Sequence, residues 1–289
     1  MASLETDEGE APGKTAADQD LMPRPGASPA LSCPSTIPLS SRTLNHLADL
    51  IRAHRNRHRS RWRRLGPGRQ APLALAHLRN GDTHTRLTAG FDVGAATAWR
   101  YAQEAIVLLA AVTEDLTIAM PRIQRLVYAI LDGTLIPIDR VADQRPYYSG
   151  KHKRHGVNAR VIADIADRLV WASPALPGST HDLTAARIHG IIDELTNSDV
   201  MTFVDKGYQG ARGDVRTPFK RRRFRPELSR RQKAVNRADA RIRARGERAI
   251  ATLKTWKILA KLRCCPRRAI AIVQFILVLH HVEANRYAG

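Results

Sequence analysis

The sequence predicts a mixed α/β sheet flanked by helices, preceded by an all-α helix-turn-helix domain. Three observations carry that expectation. Two apolar runs end in, or enclose, a single carboxylate: residues 128–138 hold Asp132, and residues 201–204 lead into Asp205. Strand-like runs between them are interrupted by one helical segment, as in a mixed sheet. Ahead of them stand a short helix, a glycine-bearing turn and a second helix.

The chain has 289 residues, enough for one large core and an accessory unit. Its 47 Lys+Arg outnumber 27 Asp+Glu, giving a net charge of +20. Such self-repulsion opposes compaction unless a polyanion answers it. Nucleic acid is the expected partner, ahead of an anionic membrane surface or a merely arginine-rich composition. Three cysteines, Cys33, Cys264 and Cys265, form neither a disulfide framework nor a zinc-ligand spacing, which fits a reducing compartment. The opening residues have no basic segment followed by an apolar run, so no secretory signal is expected. The longest apolar run, residues 269–279, contains Gln274 and is too short to span a bilayer, so it reads as a buried helix. A cytoplasmic, nucleoid-associated location is expected.

In chain order, residues 1–38 are rich in Pro, Ala, Ser and acidic side chains and read as a disordered tail. Residues 39–120 read as the helical DNA-binding domain. Ser40 or Ser41 caps a first helix carrying Leu44, Leu47, Leu50 and Ile51. That helix runs on through an arginine series from Arg52 to Arg64, until Gly66-Pro67-Gly68 stops it. A short helix follows from Pro72 to Arg79, with Pro72 in its first turn. Asp82 or Thr83 caps the next helix, residues 90–94 form the turn, and a helix from Ala95 to Leu109 projects Thr97, Arg100 and Gln103 outward.

Residues 121–262 read as the catalytic domain. Residues 127–138 form a strand pair or one bent strand with Gly133 at the bend; further strands cover residues 157–165, 169–173 and 200–204. Ser179 or Thr180 caps a helix over residues 182–192. Residues 230–262 are largely helical, broken at Gly246 and carrying Glu247, and residues 263–289 hold the apolar C-terminal helix.

A carboxylate at the end of an apolar strand pairs with a cation or binds a metal, because leaving it desolvated and alone is costly. Glu247 sits among Arg241, Arg243, Arg245 and Arg248, where a plain salt-bridge role competes with metal binding. Three converging carboxylates suit Mg²⁺, which prefers hard oxygen ligands. Two such ions, with Mn²⁺ as a substitute, can activate a water or 3′-hydroxyl and stabilise the leaving oxygen of a phosphodiester.

Five segments carry a resemblance. They are residues 131–134 (Leu-Asp-Gly-Thr), 148–156 (Tyr-Ser-Gly-Lys-His-Lys-Arg-His-Gly), 177–182 (Pro-Gly-Ser-Thr-His-Asp) and 204–210 (Val-Asp-Lys-Gly-Tyr-Gln-Gly), and the spread set Asn236, Arg243, Glu247, Leu253-Lys254. In this order and spacing the chain resembles DDE transposases of the IS5-type superfamily, related to Harbinger-like nucleases. The resemblance extends to residues 39–109, through Leu78-Arg-Asn-Gly-Asp82. It implies an RNase H-like core with Asp132, Asp205 and Glu247 as catalytic metal ligands. It also implies cleavage at terminal inverted repeats and joining of 3′-hydroxyls to target DNA. One departure is Ala166-Asp167, where similar proteins usually place a glycine in the turn; Asp tolerates the left-handed conformation.

Supporting roles are expected for Asp182 and His181, as a fourth acid or a helix-capping brace, and for Lys206, Tyr208 and Arg243 near the cut strand. Lys151, Lys153, His155, Lys220, Arg221, Arg222, Arg223, Arg225, Arg230, Arg231 and Lys254 are expected to contact DNA. Trp256 reads as core. Cutting two element ends implies at least a dimer on DNA. Two alternatives stand beside this reading: a catalytically inactive, transposase-derived DNA-binding protein, and an RNase H-type nuclease.

Overall fold

The computed structural model describes residues 37–60, 63–139, 145–221, 224, 227–260, 262 and 264–284. The expectations for residues 1–36 and for Arg222, Arg223 and Arg225 lie outside the described residues.

Helix α1 (Ser41–Arg57) begins at Ser40, whose side chain accepts from the Thr43 N–H. Ser40 also donates through its hydroxyl to Glu283 at 2.7 Å, tying this end to the last helix. The arginine series continues the helix only as far as Arg57. His58 caps it and Arg59 turns left-handed at φ 46°, so the helix closes before Gly66. Gly66-Pro67 instead opens α2 (Pro67–Asn80), with Pro67 in the first turn and Pro72 well inside the helix. Pro72 is thus a buried interior proline, past the first turn where its missing N–H would have had no helical partner. Arg55 also leaves the solvent-facing series: it is buried, donating to the Leu65 carbonyl at 2.7 Å and to Gln70.

Helix α3 (His84–Phe91) is capped by Thr83. Its turn to α4 (Ala95–Ala110) is made by Asp92 at φ 53°, with Gly90 still helical. The buried stripe of α4, Ala98, Tyr101, Ala102, Ala105, Ile106 and Leu109, has the spacing of one helix face. Helix α5 (Leu116–Ile123) leads into the sheet.

Strand β1 (Ala129–Pro137) is a single strand with no break at Gly133. It pairs antiparallel with β3 (Arg154–Ala163) and parallel with β6 (Thr202–Val204). With β2 (Tyr148–Ser149) and β7 (Val215–Arg216) the order is β2-β3-β1-β6-β7. The edge pieces β4 (Leu169–Ala172) and β5 (Leu176–Pro177) both pair with β3. Asp167 makes the β3–β4 turn at φ 62°, as an aspartate can. The segment expected as one helix after residue 182 is two, α6 (Asp182–Ile188) and α7 (Ile191–Asn197), separated by left-handed Gly190. His181, not Ser179 or Thr180, holds the N-cap position of α6, without a side-chain capping bond.

Helix α8 (Arg230–Lys254) opens on a capping box between Ser229 and Gln232 and passes through Gly246 unbroken. A Cβ at Gly246 would lie 2.7 Å from Cγ2 of Ile130, so the glycine allows α8 to lie directly on β1. Helix α9 (Pro266–Ala284) supplies Ile272, Val273, Phe275, Ile276 and Leu279 to the core. Trp256 is buried there too, with Arg79 over its ring. One apolar cluster joins α1, α2, α4, α8 and α9 to the β1–β3 face bearing Ile130 and Val161. A second fills the opposite face under α5, α7 and Tyr208. Among the described residues, no helix is long and apolar enough to cross a membrane.

Candidate active site

Register places the two strand aspartates. Leu131 pairs with Val204 in the parallel β1–β6 ladder, so the next residues stand side by side: Asp132 inside β1, which runs on to Pro137 and does not end at this acid as expected, and Asp205 just past the end of β6. Asp132 accepts from the Gly133 N–H at 2.7 Å, and Asp205 from the Gly207 N–H at 2.8 Å. Burial raises the Asp132 carboxyl above the usual carboxylate range; the Gly133 N–H partly offsets this, and the Asp205 charge adds to it.

Asp132 shares its face of the sheet with Ile130, beneath α8. The other face is polar at the same level. Gly133 pairs with Arg160, and a Cβ at Gly133 would collide with the Arg160 guanidinium. Arg160 is fully buried and donates to Asp182 Oδ1 at 2.7 Å, to the Tyr208 hydroxyl at 3.0 Å, and to Asn158. A guanidinium without solvent needs such partners. Burial would lift the Asp182 carboxyl, but Arg160 and Lys151 outweigh it and hold that carboxyl below the usual range.

Lys151 enters this group from the β2–β3 turn. Its Nζ lies 3.0 Å from Asp182 Oδ2 and 3.6 Å from Asp205 Oδ2. Gly207 leaves room between the two acids: a Cβ there would stand 2.7 Å from Asp182 Oδ2 and 2.9 Å from Asp205 Oδ1. Lys151 thus bridges Asp182 and Asp205, and Asp132 on the neighbouring strand is near enough to act on the same ammonium electrostatically.

Glu247 is placed differently. It is exposed on α8, directly after the Gly246 that touches β1. Asn236, Arg243, Glu247 and Lys254 are spaced by seven, four and seven residues, which puts them on one flank of the helix. Asn236 pins the basic loop at Phe219, donating to its carbonyl at 2.9 Å and accepting from its N–H at 2.8 Å. Arg243 is half-buried with its Nε unpartnered. Among the described residues no three His, Cys, Asp or Glu side chains are close enough to hold an ion by themselves. The donor set nonetheless suits Mg²⁺, which is commonly held by one or two carboxylates and completes its shell with water and substrate phosphate.

Among the supporting residues, Tyr208 is buried under the site with its hydroxyl on Arg160, so it braces the site from below and does not face solvent. Lys206 and His181 are exposed. Lys153 is exposed at φ 51°, and His155 is half-buried, edge-on to Tyr148. Lys220, Arg221, Arg230, Arg231 and Lys254 are exposed, as is Arg100 on α4. Thr97 and Gln103 are half-buried, and Gln103 lines a cleft with Trp99, Asp82 and Arg268.

Arg160 and Asn158 were not singled out from the sequence. The available signal was an arginine, with one asparagine, inside a mainly apolar strand, residues 157–163, which requires a buried acid somewhere in the fold.

Residues 131–281 match the family described as DDE superfamily endonuclease, and residues 63–115 match the helix-turn-helix of DDE superfamily endonuclease. A protein of Streptomyces albus G that carries the name of a transposase for insertion sequence element IS112 is 32% identical over 136 residues. The match covers 46% of this chain and 50% of that protein, so the chain spans about half the length of this relative. No solved structure matches. With more than half of its length inside the family match, and both strand aspartates within it, the chain belongs to the DDE superfamily endonucleases.

Proposed function

We propose that this protein is a DNA transposase that cuts phosphodiesters at terminal inverted repeats and transfers the 3′-hydroxyl ends to target DNA. The observation that carries the reading is the Leu131–Val204 register, which sets Asp132 of β1 beside Asp205, just past the end of β6. Family membership and the relative's name agree with it. In this reading Asp132 and Asp205 would hold two Mg²⁺ ions, or Mn²⁺ in their place, with Glu247, exposed on α8, as the third acid. The ions supply Lewis-acid stabilisation and a hydroxide-like nucleophile at neutral pH. Arg160 fixes the Asp182 carboxylate from beneath, so the acids do not reorganise when DNA arrives.

The helix-turn-helix with Arg100 on its exposed face supports duplex DNA as the partner, since A-form grooves resist reading by a helix. Lys220, Arg221, Arg230 and Arg231 would neutralise phosphates along α8 and the loop before it. We assign the helical DNA-binding domain to residues 39–120, the catalytic domain to residues 121–262, and action as at least a dimer on paired ends. The finer IS5-type placement rests on the five quoted segments, and a nucleoid-associated location on the DNA partner.

The test is cleavage and strand joining of a labelled duplex bearing the terminal repeats that flank the gene, in Mg²⁺, Mn²⁺ or EDTA. Metal-dependent nicking at the repeat end is expected. Asp205→Asn should lower it by more than the roughly 10–100-fold that loss of an outer-shell partner costs a metal site. Specific binding with no cleavage by the wild type would contradict the proposal.

A further inference from the structure

We propose that the Lys151 ammonium is a built-in placeholder that occupies the carboxylate site until a divalent cation displaces it. The inference rests on the metal-bearing reading given above. Three observations carry it. Lys151 bridges two acids, at 3.0 Å from Asp182 Oδ2 and 3.6 Å from Asp205 Oδ2. It reaches them from a short turn between β2 and β3, whose pairing of Ser149 with Arg154 fixes where the side chain starts. The side chain remains 60% exposed, so it can leave without unpacking the core. Asp182 keeps a second cation, Arg160, that is fully buried and cannot leave. The site thus has one permanent positive partner and one exchangeable one.

The consequence is a trade. Without an ion, Lys151 screens carboxylates that would otherwise repel one another. When an ion arrives, the ammonium loses these partners and its exposed side chain is released to solvent. Lys151 is therefore a positioning residue that sets the ion affinity of the site.

The experiment is calorimetric titration of Mn²⁺ into the full chain without DNA, for wild type, Lys151→Met and Lys206→Met. Thermal unfolding is recorded in EDTA and in saturating Mn²⁺. Lys206 is the control, an exposed lysine next to Asp205. Lys151→Met should bind Mn²⁺ about tenfold more tightly, and its melting temperature should fall in EDTA and recover in Mn²⁺, as expected of a ligand that binds only the folded state. Lys206→Met should change the affinity less than about twofold, since an exposed charge is screened by solvent. Unchanged or weaker binding by Lys151→Met, with wild type still binding, overturns the placeholder alone. So does an equal gain in both variants. No Mn²⁺ binding by folded wild type or by either variant overturns the metal-bearing reading together with it.

Discussion

The two faces of β1 solve different problems within a few residues of each other. Under α8, Ile130 meets Gly246 with no room for a methyl group, and the contact is apolar and close. On the opposite face, Gly133 leaves space for Arg160, which is tied to Asp182, Tyr208 and Asn158. The first face gains stability by excluding water. The second orients charge, and buried ion pairs are weak sources of stability. Asp132 lies on the first face, two residues from Ile130, and Asp205 follows the neighbouring strand. The site is therefore rigid because of one face and correctly charged because of the other.

The largest expected effect separates the two. Asp182→Ala leaves Arg160 buried without its carboxylate and should destabilise the fold by about 3–5 kcal/mol in urea unfolding. Arg160→Met combined with Asp182→Leu should recover most of that loss, because an apolar pair of similar size needs no charge partner. Failure to recover would mean that the polar face contributes packing as well as orientation.

The apolar face gives the next effect. A glycine inside a helix ordinarily gains about 1 kcal/mol on change to alanine. Gly246→Ala should instead destabilise by about 1–2 kcal/mol, because overpacking against Ile130 outweighs the propensity. Adding Ile130→Leu, which removes the opposing branch methyl, should return the variant to wild-type stability or above it. A stabilising Gly246→Ala on its own would show that α8 lies further from β1.

Asp132→Asn should move stability the other way. Burial, with a further contribution from Asp205, raises the Asp132 carboxyl in the folded chain. The folded state therefore holds that proton more tightly than the unfolded state, and stability is lost as pH rises from the unfolded pKa through the folded one. At pH 7 in EDTA the asparagine variant should melt about 2 °C higher than wild type, and with Mg²⁺ supplied it should have lost cleavage. At pH 3, where both states are protonated, the gain should disappear.

The smallest effect belongs to the β3–β4 turn. Asp167→Gly relieves a left-handed aspartate but gives up the exposed Arg248 pair at 2.6 Å. The two changes oppose each other, so the melting temperature should stay within about a degree of wild type.

Much of this was legible in the chain and some was not, for physical reasons. Asp132 and Asp205 stood out because an acid at the end of an apolar run has few structural explanations. The helix-turn-helix was readable from local signals: the Thr83 cap, the turn at Asp92 and the one-sided stripe of α4. Arg160 was not, because its meaning depends on pairing with Gly133 across strands 27 positions apart in number, a relation that no local pattern carries. Gly246 looked like a break because its propensity is poor, yet tertiary contact with Ile130 decides its role. Tyr208 looked outward because it follows Asp205, but the tight turn over Lys206–Tyr208 folds its ring back under the sheet. The exposure of Glu247 reflects a flank of α8 that only the helix's seating on β1 defines.

The central claim is that Asp132, inside β1, and Asp205, just past the end of β6, form one ion-binding centre. Its most direct test replaces the native ion with Fe²⁺ and uses ascorbate and peroxide to cut the backbone next to the bound iron, without DNA. The account predicts fragments ending within a few residues of Asp132 and of Asp205, suppressed by excess Mg²⁺ and absent from Asp205→Asn. Cutting concentrated elsewhere in the chain, or undiminished in that variant, would contradict it.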